Sequence, residues 1–322
     1  MPIYSTDGPE GQGNLRRAGE ALRRGELVAF PTETVYGLGA NALDDTAVAR
    51  IFAAKGRPSY NPLIVHVADA MAAKKLVASW PPEAVRLAKT FWPGPLSLVL
   101  PRQGIVAARV SAGLSTVAVR VPAHPVAQAL LRAAAVPLAA PSANRFTELS
   151  PTRAAHVENA LGDRVTMILD GGACDVGIES TVVDLSGNTP VLLRAGTISK
   201  AELEAVIGPI REAPPIDANA PRASPGMVPR HYAPRARLHC FQDIVEVTAT
   251  AKSGAVLRSA ALAVRFAEVL VLPDEALGFA RGLYNALHTL DAVGCTDIWV
   301  QDVPDNAEWR GIRDRLARAS HD

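Results

Sequence analysis

Apolar residues in the first two hundred positions alternate between helical and strand-like spacing. A helical pattern over 15–22 is followed by a short apolar run at 27–30. Asp45 is a candidate N-cap for the next helix, which stops near Gly56. Further runs predict strands at 63–67, 96–100, 117–121, 138–140, 167–169 and 181–184, with helical windows at 83–91 and 126–134. This mixture predicts an α/β domain, although the spacing does not separate a parallel sheet from a mixed one.

The amino-acid composition of the chain changes at about residue 209. The next segment is dense in proline, has no hydrophobic period and contains few residues able to fill a core, so an extended linker is expected. An α/β pattern then resumes, with strands predicted at 269–272 and 298–300 and helices at 279–290 and 309–319. The sequence therefore predicts three units: a domain over 1–208, a linker over 209–237 and a smaller α/β domain over 238–322.

Composition narrows the class of protein. Of 322 residues 48% are apolar, which is enough for a sizeable core. The 33 Lys and Arg nearly balance 32 Asp and Glu, so the chain lacks the basic excess of a protein that coats nucleic acid. Three scattered cysteines without a C-x-x-C pair argue against a disulfide framework and a structural zinc site. The N-terminus is polar and no apolar run is long enough to span a membrane, so we expect a soluble, cytoplasmic protein with no membrane partner.

Polar residues cluster where the apolar strands end, and ligands of open α/β sheets bind beyond strand ends. Gly37, Gly39 and Ala42 match the loose G-x-G-x-x-A fingerprint of dinucleotide-binding proteins. Six residues separate them from the preceding strand, however, and no acidic residue follows at the required distance, so the fingerprint fails its context. The Walker pattern is absent.

Three basic residues are the next candidates for a functional site. Lys55 and Arg57 straddle Gly56 at a helix end, which suits either a phosphate clamp or an ordinary basic helix terminus. Arg120 lies in a strand that otherwise reads as buried, so it needs an anionic partner. That partner is either an internal carboxylate such as Glu179 or the carboxylate of a substrate. His66 lies inside an apolar strand, where a single histidine is more often a hydrogen-bonded core residue than a catalytic one.

Taken in order, several blocks of the chain resemble one family closely. They are PTETVYGLGANA, KGRPSYNPLIVHV, WPGPLSLVL, AVRVPAHP, APSAN, GIESTVVDL and LLRAGTIS. They are similar to successive blocks of a YrdC-type threonylcarbamoyl-AMP synthase domain, over about residues 13–208. The segments SPGM (224–227) and HYAP (231–234) resemble the two-domain version of the family, in which a smaller Rossmann-like domain follows.

The resemblance implies a fold and a reaction. The fold is a twisted open mixed sheet with helices, followed by the small Rossmann-like α/β domain. The reaction makes threonylcarbamoyl-AMP and pyrophosphate from L-threonine, bicarbonate and ATP with Mg²⁺. The product serves the machinery that transfers the threonylcarbamoyl group to tRNA, and weak direct binding of tRNA is left open.

The resemblance also assigns roles to residues, without a covalent nucleophile and without a metal ligand from the protein. Lys55 and Arg57 would position the reacting groups. ATP would be bound by Lys55, Arg57, Asn61, Thr116, Ser142, Asn144, Ser150, Arg194, His231 and Tyr232. Threonine would be bound by Thr34, His66, Arg120, the backbone of Ala140 and Ser180, with the linker folding back over the nucleotide.

Two other functions remain open from the residues alone. A non-catalytic RNA-binding module could use the same cations, Lys55, Arg57, Arg120 and Arg194, to accept an RNA backbone. A related carbamoyltransferase would share the fold, but the zinc-finger and acylphosphatase segments that normally accompany it are absent from this sequence.

Overall fold

The computed structural model describes residues 3–213, 230–260 and 266–321 of the chain. Within them the first part of the chain forms one large mixed sheet, as the resemblance implies. Its strands are β1 (Ile3–Ser5), β2 (Val28–Phe30), β3 (Gly37–Asn41), β4 (Ile64–His66), β5 (Leu96–Pro101), β6 (Thr116–Arg120), β7 (Leu138–Ala139), β8 (Met167–Asp170), β9 (Thr181–Asp184), β10 (Val191–Arg194) and β11 (Arg211–Glu212). Their spatial order is β1-β8-β2-β3-β7-β4-β6-β5-β9-β10-β11, with both parallel and antiparallel neighbours.

Helices cover both faces of this sheet. They are α1 (Gly8–Arg23), α2 (Asp45–Lys55), α3 (Ala70–Lys74), α4 (Pro82–Phe91), α5 (Pro125–Ala134), α6 (Ala154–Leu161) and α7 (Lys200–Ile207). The side chains of β2 alternate between the two cores: Ala29 packs with α2 and α4, whereas Val28 and Phe30 pack with α1 and α5. The apolar runs of the sequence are therefore strands buried on both faces, which explains why they carry few polar positions.

The second unit is a four-stranded parallel sheet with two long helices. It consists of β12 (Arg237–Phe241), β13 (Ser253–Leu257), β14 (Glu268–Val271) and β15 (Asp297–Gln301), in the order β12-β15-β13-β14, with α8 (Ala276–Ala292) and α9 (Arg310–Ala319). This arrangement confirms the small α/β domain, and the structure shows that its sheet is parallel. Most of the expected linker, 214–229 with its SPGM motif, lies outside the described residues.

The two units share an apolar core. Loop residues of the first unit, such as Val35 and Ile178, cluster with Phe279 and Leu283 of α8 and Leu316 of α9. The helices of the second unit therefore pack directly on loops at the edge of the large sheet. No helix in the described part of the chain combines the length and apolar character needed to cross a membrane.

Candidate functional site

A buried cavity of about 50 Å³ lies where α8 and α9 cover the edge of the large sheet. It brings together side chains that are far apart in the sequence. Ten of the residues predicted to bind substrates line it: Thr34, Arg57, His66, Arg120, Ala140, Ser142, Ser180, Arg194, His231 and Tyr232. All five residues predicted for threonine and half of the ten predicted for ATP thus face one small cavity; Lys55, Asn61, Thr116, Asn144 and Ser150 are not among its lining residues.

The carboxyl ends of β4 and β6 supply two of these side chains. The strands are parallel and in register, so that His66 lies beside Arg120. Both side chains are buried. Burial, reinforced by the charge of Arg120, lowers the pKa of His66 to about 3, so its imidazole is neutral at physiological pH. His66 Nδ1 has no hydrogen-bond partner among the described residues.

Arg120 is paired inside the protein, but not with the carboxylate we expected. Its Nη2 donates to Glu33 Oε1 (2.7 Å) and its Nη1 to Thr34 Oγ1 (3.0 Å), while Nε donates to Gly94 O (3.2 Å). Glu179, the carboxylate named from the sequence, pairs with Arg315 instead. An internal carboxylate is therefore present, but Glu179 was the wrong example: Glu33 follows β2 and Glu179 precedes β9, and the sequence does not show which guanidinium each one meets. Glu33 Oε2 is buried without a partner in the described structure, so the pair retains unused hydrogen-bonding capacity.

The second group of cations sits at the end of α2. Asp44, rather than Asp45, caps this helix by accepting from Thr46 N and Ala47 N, and Gly56 ends it in the left-handed conformation (φ 62°). Lys55 and Arg57, on either side of this turn, are both buried, and Arg57 lines the cavity. Lys55 Nζ donates to Ser142 O (2.6 Å) and to Asn144 O, which ties the helix to the loop after β7.

Burial lowers the pKa of both cations. For Lys55 desolvation comes first and the neighbouring charge of Arg57 second, and the pKa falls well below its ordinary value. For Arg57 desolvation lowers the pKa to about 9. An anion entering the cavity reverses such shifts, because a nearby opposite charge favours the charged form of each cation. Asn61, whose carbonyl accepts from Arg57 Nε (3.2 Å), has both side-chain polar atoms buried without a partner in the described residues.

Arg194 and Ser180 lie at adjoining ends of the antiparallel strands β9 and β10. Arg194 Nε donates to Ser180 O (3.0 Å) and Nη2 to Ser180 Oγ (3.1 Å), and Ser97 Oγ lies 2.8 Å from Ser180 Oγ. Next to them Ser150 Oγ donates to Glu179 Oε1 (2.5 Å). Ser180, which is predicted to bind threonine, therefore lies next to Arg194 and Ser150, which are predicted to bind ATP.

His231 and Tyr232 close the cavity from the segment that enters the second unit. Both are buried, and Tyr232 has a left-handed backbone (φ 61°), which is uncommon for a side chain of this size. His231 packs against Phe146 and Tyr232 (ring centroids 5.8 and 4.0 Å apart). Burial, with the charges of Arg57 and Lys55, lowers the pKa of His231 well below its ordinary value, so it is neutral.

Some residues contribute differently from the sequence prediction. Thr116 begins β6, at the opposite end of the strand from Arg120, and does not line the cavity, so its contact with ATP stays a prediction. Glu33 and Arg315 are buried at the site, yet neither was singled out from the sequence.

In the described residues no group of three or more His, Cys, Asp and Glu is placed to hold a metal ion. The cavity is suited to binding a small anionic or zwitterionic molecule beside phosphates, with water excluded.

Comparison with known proteins identifies the same two units. A family model for Sua5, YciO and YrdC proteins, described as Telomere recombination, matches residues 20–196. A second model, described as Threonylcarbamoyl-AMP synthase, C-terminal domain, matches residues 198–321.

Relatives match over nearly the whole chain. The threonylcarbamoyl-AMP synthases of Pyrococcus abyssi and Bacillus subtilis are each 42% identical, covering 95% and 98% of this chain and 94% of each relative. The structure of P. abyssi Sua5 complexed with L-threonine superposes with a TM-score of 0.91 at 40% identity, covering 99% of this chain and 98% of that one. A variant of the same protein with a histidine and the tyrosine after it changed to alanine gives a TM-score of 0.90 at 39% identity, covering 99% and 96%.

Proposed function

Because the chain belongs to the threonylcarbamoyl-AMP synthase family of tRNA modification enzymes, we propose that its cavity joins L-threonine, bicarbonate and MgATP into threonylcarbamoyl-AMP and pyrophosphate. The observation that carries this proposal is the meeting of two sets of residues in one cavity. Arg57 and Arg194 supply charge for phosphates, while Arg120, His66 and Ser180 supply groups for an amino acid.

The threonine half is assigned to the cluster around Arg120. Its guanidinium would take the threonine carboxylate, and Thr34 and neutral His66 would hydrogen-bond the side-chain hydroxyl or the amine. Ala140 N–H already donates to Ile64 O (2.9 Å), so the carbonyl oxygen of Ala140 is the backbone atom assigned to threonine. The solved complex of the P. abyssi relative with L-threonine supports an amino-acid site in this fold.

The nucleotide half is assigned to the walls formed by Arg57, Arg194 and the loop after β7. Arg57 and Lys55 would neutralise the phosphates, and Ser142, Asn144 and Ser150 would hydrogen-bond the nucleotide, with Asn61 and Thr116 completing the site. Mg²⁺ would arrive bound to the ATP phosphates as part of the substrate, since it prefers phosphate oxygens and water.

The reaction requires positioning rather than a covalent intermediate. The threonine amine would add to bicarbonate with loss of water to give a carbamate. One carbamate oxygen would then form a bond to the α-phosphorus of ATP as the bond from that phosphorus to the bridging oxygen breaks and pyrophosphate leaves. Arg57 and Arg194 would stabilise the charge that develops on the phosphate oxygens. Exclusion of water protects both the carbamate and the mixed anhydride from hydrolysis.

The described cavity is the closed form of this site. Its volume of about 50 Å³ is far below the roughly 300–1,000 Å³ of cavities that hold drug-sized ligands. His231 and Tyr232 therefore have to move outward before ATP enters and would return to cover it, as expected for a lid. The chain just after Tyr232 is anchored to α8 in this closed position. Arg235 N and Ala236 N donate to the Asp291 carboxylate (2.8 and 3.0 Å).

Two alternative functions explain these observations less well. An RNA-binding module without catalysis does not explain why threonine-directed and phosphate-directed groups share one cavity. A carbamoyltransferase does not explain the match of residues 198–321 to the synthase C-terminal domain. The cytoplasmic location and the boundaries 1–208 and 238–322 stay predictions.

The test is pyrophosphate release from ATP by the purified chain with Mg²⁺ and bicarbonate, with and without threonine. Threonine-dependent release is expected, with serine a much weaker substrate because the methyl group of threonine is lost. Mass spectrometry should detect threonylcarbamoyl-AMP. Absence of release under all conditions, together with salt-sensitive tRNA binding, would instead support the RNA-binding module.

A further inference from the structure

A cation from the second unit pairs with Glu179, one of the residues that line the cavity. Arg315, on α9, is only 1% exposed, and among the residues that the structure describes it is the largest fully buried side chain. Its Nε donates to Glu179 Oε2 (2.8 Å), its Nη1 to Ala195 O (2.7 Å) and its Nη2 to Glu179 O (3.3 Å). Glu179 and Ala195 belong to the first unit, next to Ser180 and Arg194 respectively, whereas Asp314 of α9 itself also accepts from Nη1 (3.0 Å).

Glu179 is the centre of this contact. Its carboxylate also accepts from Ser150 Oγ (2.5 Å) and from Tyr284 OH of α8 (3.2 Å to Oε2). Burial alone would raise the pKa of Glu179, but the charges of Arg315 and Arg194 and the hydrogen bonds lower it below its ordinary value. The carboxylate is therefore ionised inside the protein, and Arg315 is its ion-pair partner.

A buried carboxylate beside the phosphate site creates a competition. Arg194 lies close enough to Glu179 to affect its pKa, and it also lines the cavity. If Glu179 lacked Arg315, its charge would draw the Arg194 guanidinium towards itself and oppose an incoming phosphate. Arg315, which is not one of the residues lining the cavity, removes this competition by neutralising Glu179.

The same guanidinium supports the closing segment. Arg315 Cζ lies 5.2 Å from the centre of the Tyr232 ring, at cation–π distance. One turn along α9, Arg318 O accepts from His231 N (3.2 Å). The fixed wall and the residues that close the cavity therefore rest on one helix of the second unit.

We infer that Arg315 is a positioning residue for nucleotide binding, through which the C-terminal domain keeps Arg194 directed at the phosphates and seats Tyr232 over them. The inference rests on the proposed function, because it assumes that the phosphates of ATP meet Arg194. It gives the C-terminal domain a part in the active site: the domain provides the counter-charge and the seat of the lid.

The test compares three full-length variants with the wild-type protein. Arg315→Met removes the charge and leaves Glu179 unpaired. Arg315→Met combined with Glu179→Gln removes both charges but keeps acceptor and donor groups near Ser150 and Tyr284. Arg313→Met is the matched control, because Arg313 lies on the same helix with its side chain 43% exposed. The dissociation constant of a non-hydrolysable ATP analogue is measured by calorimetry for each variant. KM values and melting temperatures are measured alongside it.

Arg315→Met should weaken binding of the ATP analogue about tenfold or more, the effect of about one lost charge interaction. The KM for threonine should change much less. The double variant should recover melting temperature and most of the affinity for the analogue, because no carboxylate then competes for Arg194. It should not recover full kcat, since Tyr232 still lacks its seat. The Arg313→Met variant should behave as wild type.

Two results would overturn the inference. One is an Arg315→Met protein that folds and binds the ATP analogue as tightly as wild type. The other is a double variant with restored melting temperature but no recovered affinity, which would show that Glu179 does not compete for the phosphate-binding cation. Failure of the proposed function is distinguishable, because the wild-type protein itself would then release no threonine-dependent pyrophosphate.

Discussion

At the scale of single residues, the site depends on a guanidinium that has two side-chain partners. Arg120 is held by Glu33 and Thr34, and both are buried with it. A buried ion pair adds little net stability, yet removing one member leaves an uncompensated charge and costs about 3–5 kcal/mol. Any test of Arg120 as a threonine ligand therefore has to separate substrate binding from this structural cost.

Arg120→Ala should raise the KM for threonine strongly while leaving affinity for ATP nearly intact. The reason is that the threonine carboxylate loses its cation, whereas Arg57 and Arg194 remain in the nucleotide half. The same change should lower the free energy of unfolding by about 3–5 kcal/mol, because Glu33 is left buried and unpaired. Steady-state kinetics with each substrate varied, together with urea denaturation, measure both effects.

The control is the addition of Glu33→Gln to the Arg120→Ala background. Without a charge on residue 33, part of the lost stability should return, while the KM for threonine stays high. If the KM recovers together with the stability, Arg120 acts only as a structural partner of Glu33, and another group binds the carboxylate.

The pair also shows what a sequence reveals at this scale. An arginine inside an apolar strand predicts a buried charge and a nearby anion, and the structure confirms both. The identity of the anion depends on which loops meet at the sheet edge, a long-range property without a local signal. Glu33 lies in a polar stretch of threonines that predicts a loop, and Arg315 lies on a helix with three other arginines, none of them buried. Neither differs locally from a surface residue.

At the scale of elements, the position of α9 is set by close contact between two glycines. A Cβ at Gly311, in the first turn of α9, would lie 2.6 Å from Gly196 O, a backbone atom of the loop after β10. Arg315 follows one turn later on the same face, and its Nη1 lies 3.4 Å from Gly311 O. Backbone approach at Gly311 therefore fixes the depth at which Arg315 reaches Glu179.

Gly311→Ala should destabilise the protein although alanine is the better helix former. The gain in helix propensity is at most about 1 kcal/mol, whereas overpacking against a backbone atom costs about 1–3 kcal/mol. The added methyl group should also displace α9 and raise the KM for ATP more than the KM for threonine. Melting temperature and steady-state kinetics provide the measurements.

Gly13→Ala is the matched substitution. Gly13 lies inside α1, and a Cβ there would meet no atom within 4 Å. The variant should be more stable than wild type by about 0.5–1 kcal/mol, with unchanged kinetics. Opposite signs at the two glycines are the expected result, and a stabilised Gly311→Ala protein would mean that α9 is not held by this contact.

The accuracy of the predicted elements follows from their packing. Strands β4, β5, β6, β8 and β9 are short apolar runs buried on both faces, and the sequence predicts each within two residues. Strand β3 is missed because Gly37–Asn41 contains the glycines that suggest a loop. In the structure these glycines pack β3 against Phe30, where a Cβ at Gly39 would lie 2.9 Å from the ring. Glycines that are required for packing were therefore interpreted as a turn signal in the sequence.

At the scale of the whole molecule, closure of the cavity should govern how fast ATP binds. The cavity proposed to take the nucleotide, at about 50 Å³, is too small for ATP, so binding of ATP has to wait until His231 and Tyr232 move. In stopped-flow measurements the observed rate of binding of a fluorescent ATP analogue should level off at high concentration, at the opening rate. Replacing Tyr232 by alanine should raise that plateau. A rate that keeps rising linearly with concentration in the wild-type protein would contradict a closed resting state.

Acid stability is a second property of the whole molecule, because several histidines are buried neutral. The folded-state pKa is about 3 for His66 and His156, and it is lowered for His124, His231 and His288. Burial is the first cause in each. The unfolded value is about 6.5. Below that pH the unfolded chain takes up protons that the folded chain does not, so stability is complete above about pH 6.5 and is lost as the pH falls towards 3.

The midpoint of urea denaturation should therefore decrease steadily from pH 7.5 to pH 5. Each fully buried histidine contributes up to about 1.4 kcal/mol per pH unit below its unfolded pKa. The stacked pair His156 and His288 (ring centroids 3.9 Å apart) joins the two units, so part of this loss falls on the interface that carries Arg315. His156→Gln should make the pH dependence shallower, because it removes one titrating group. A urea midpoint that is independent of pH would mean that these histidines are accessible to protons in the folded protein, and that the interface opens more readily than its packing indicates.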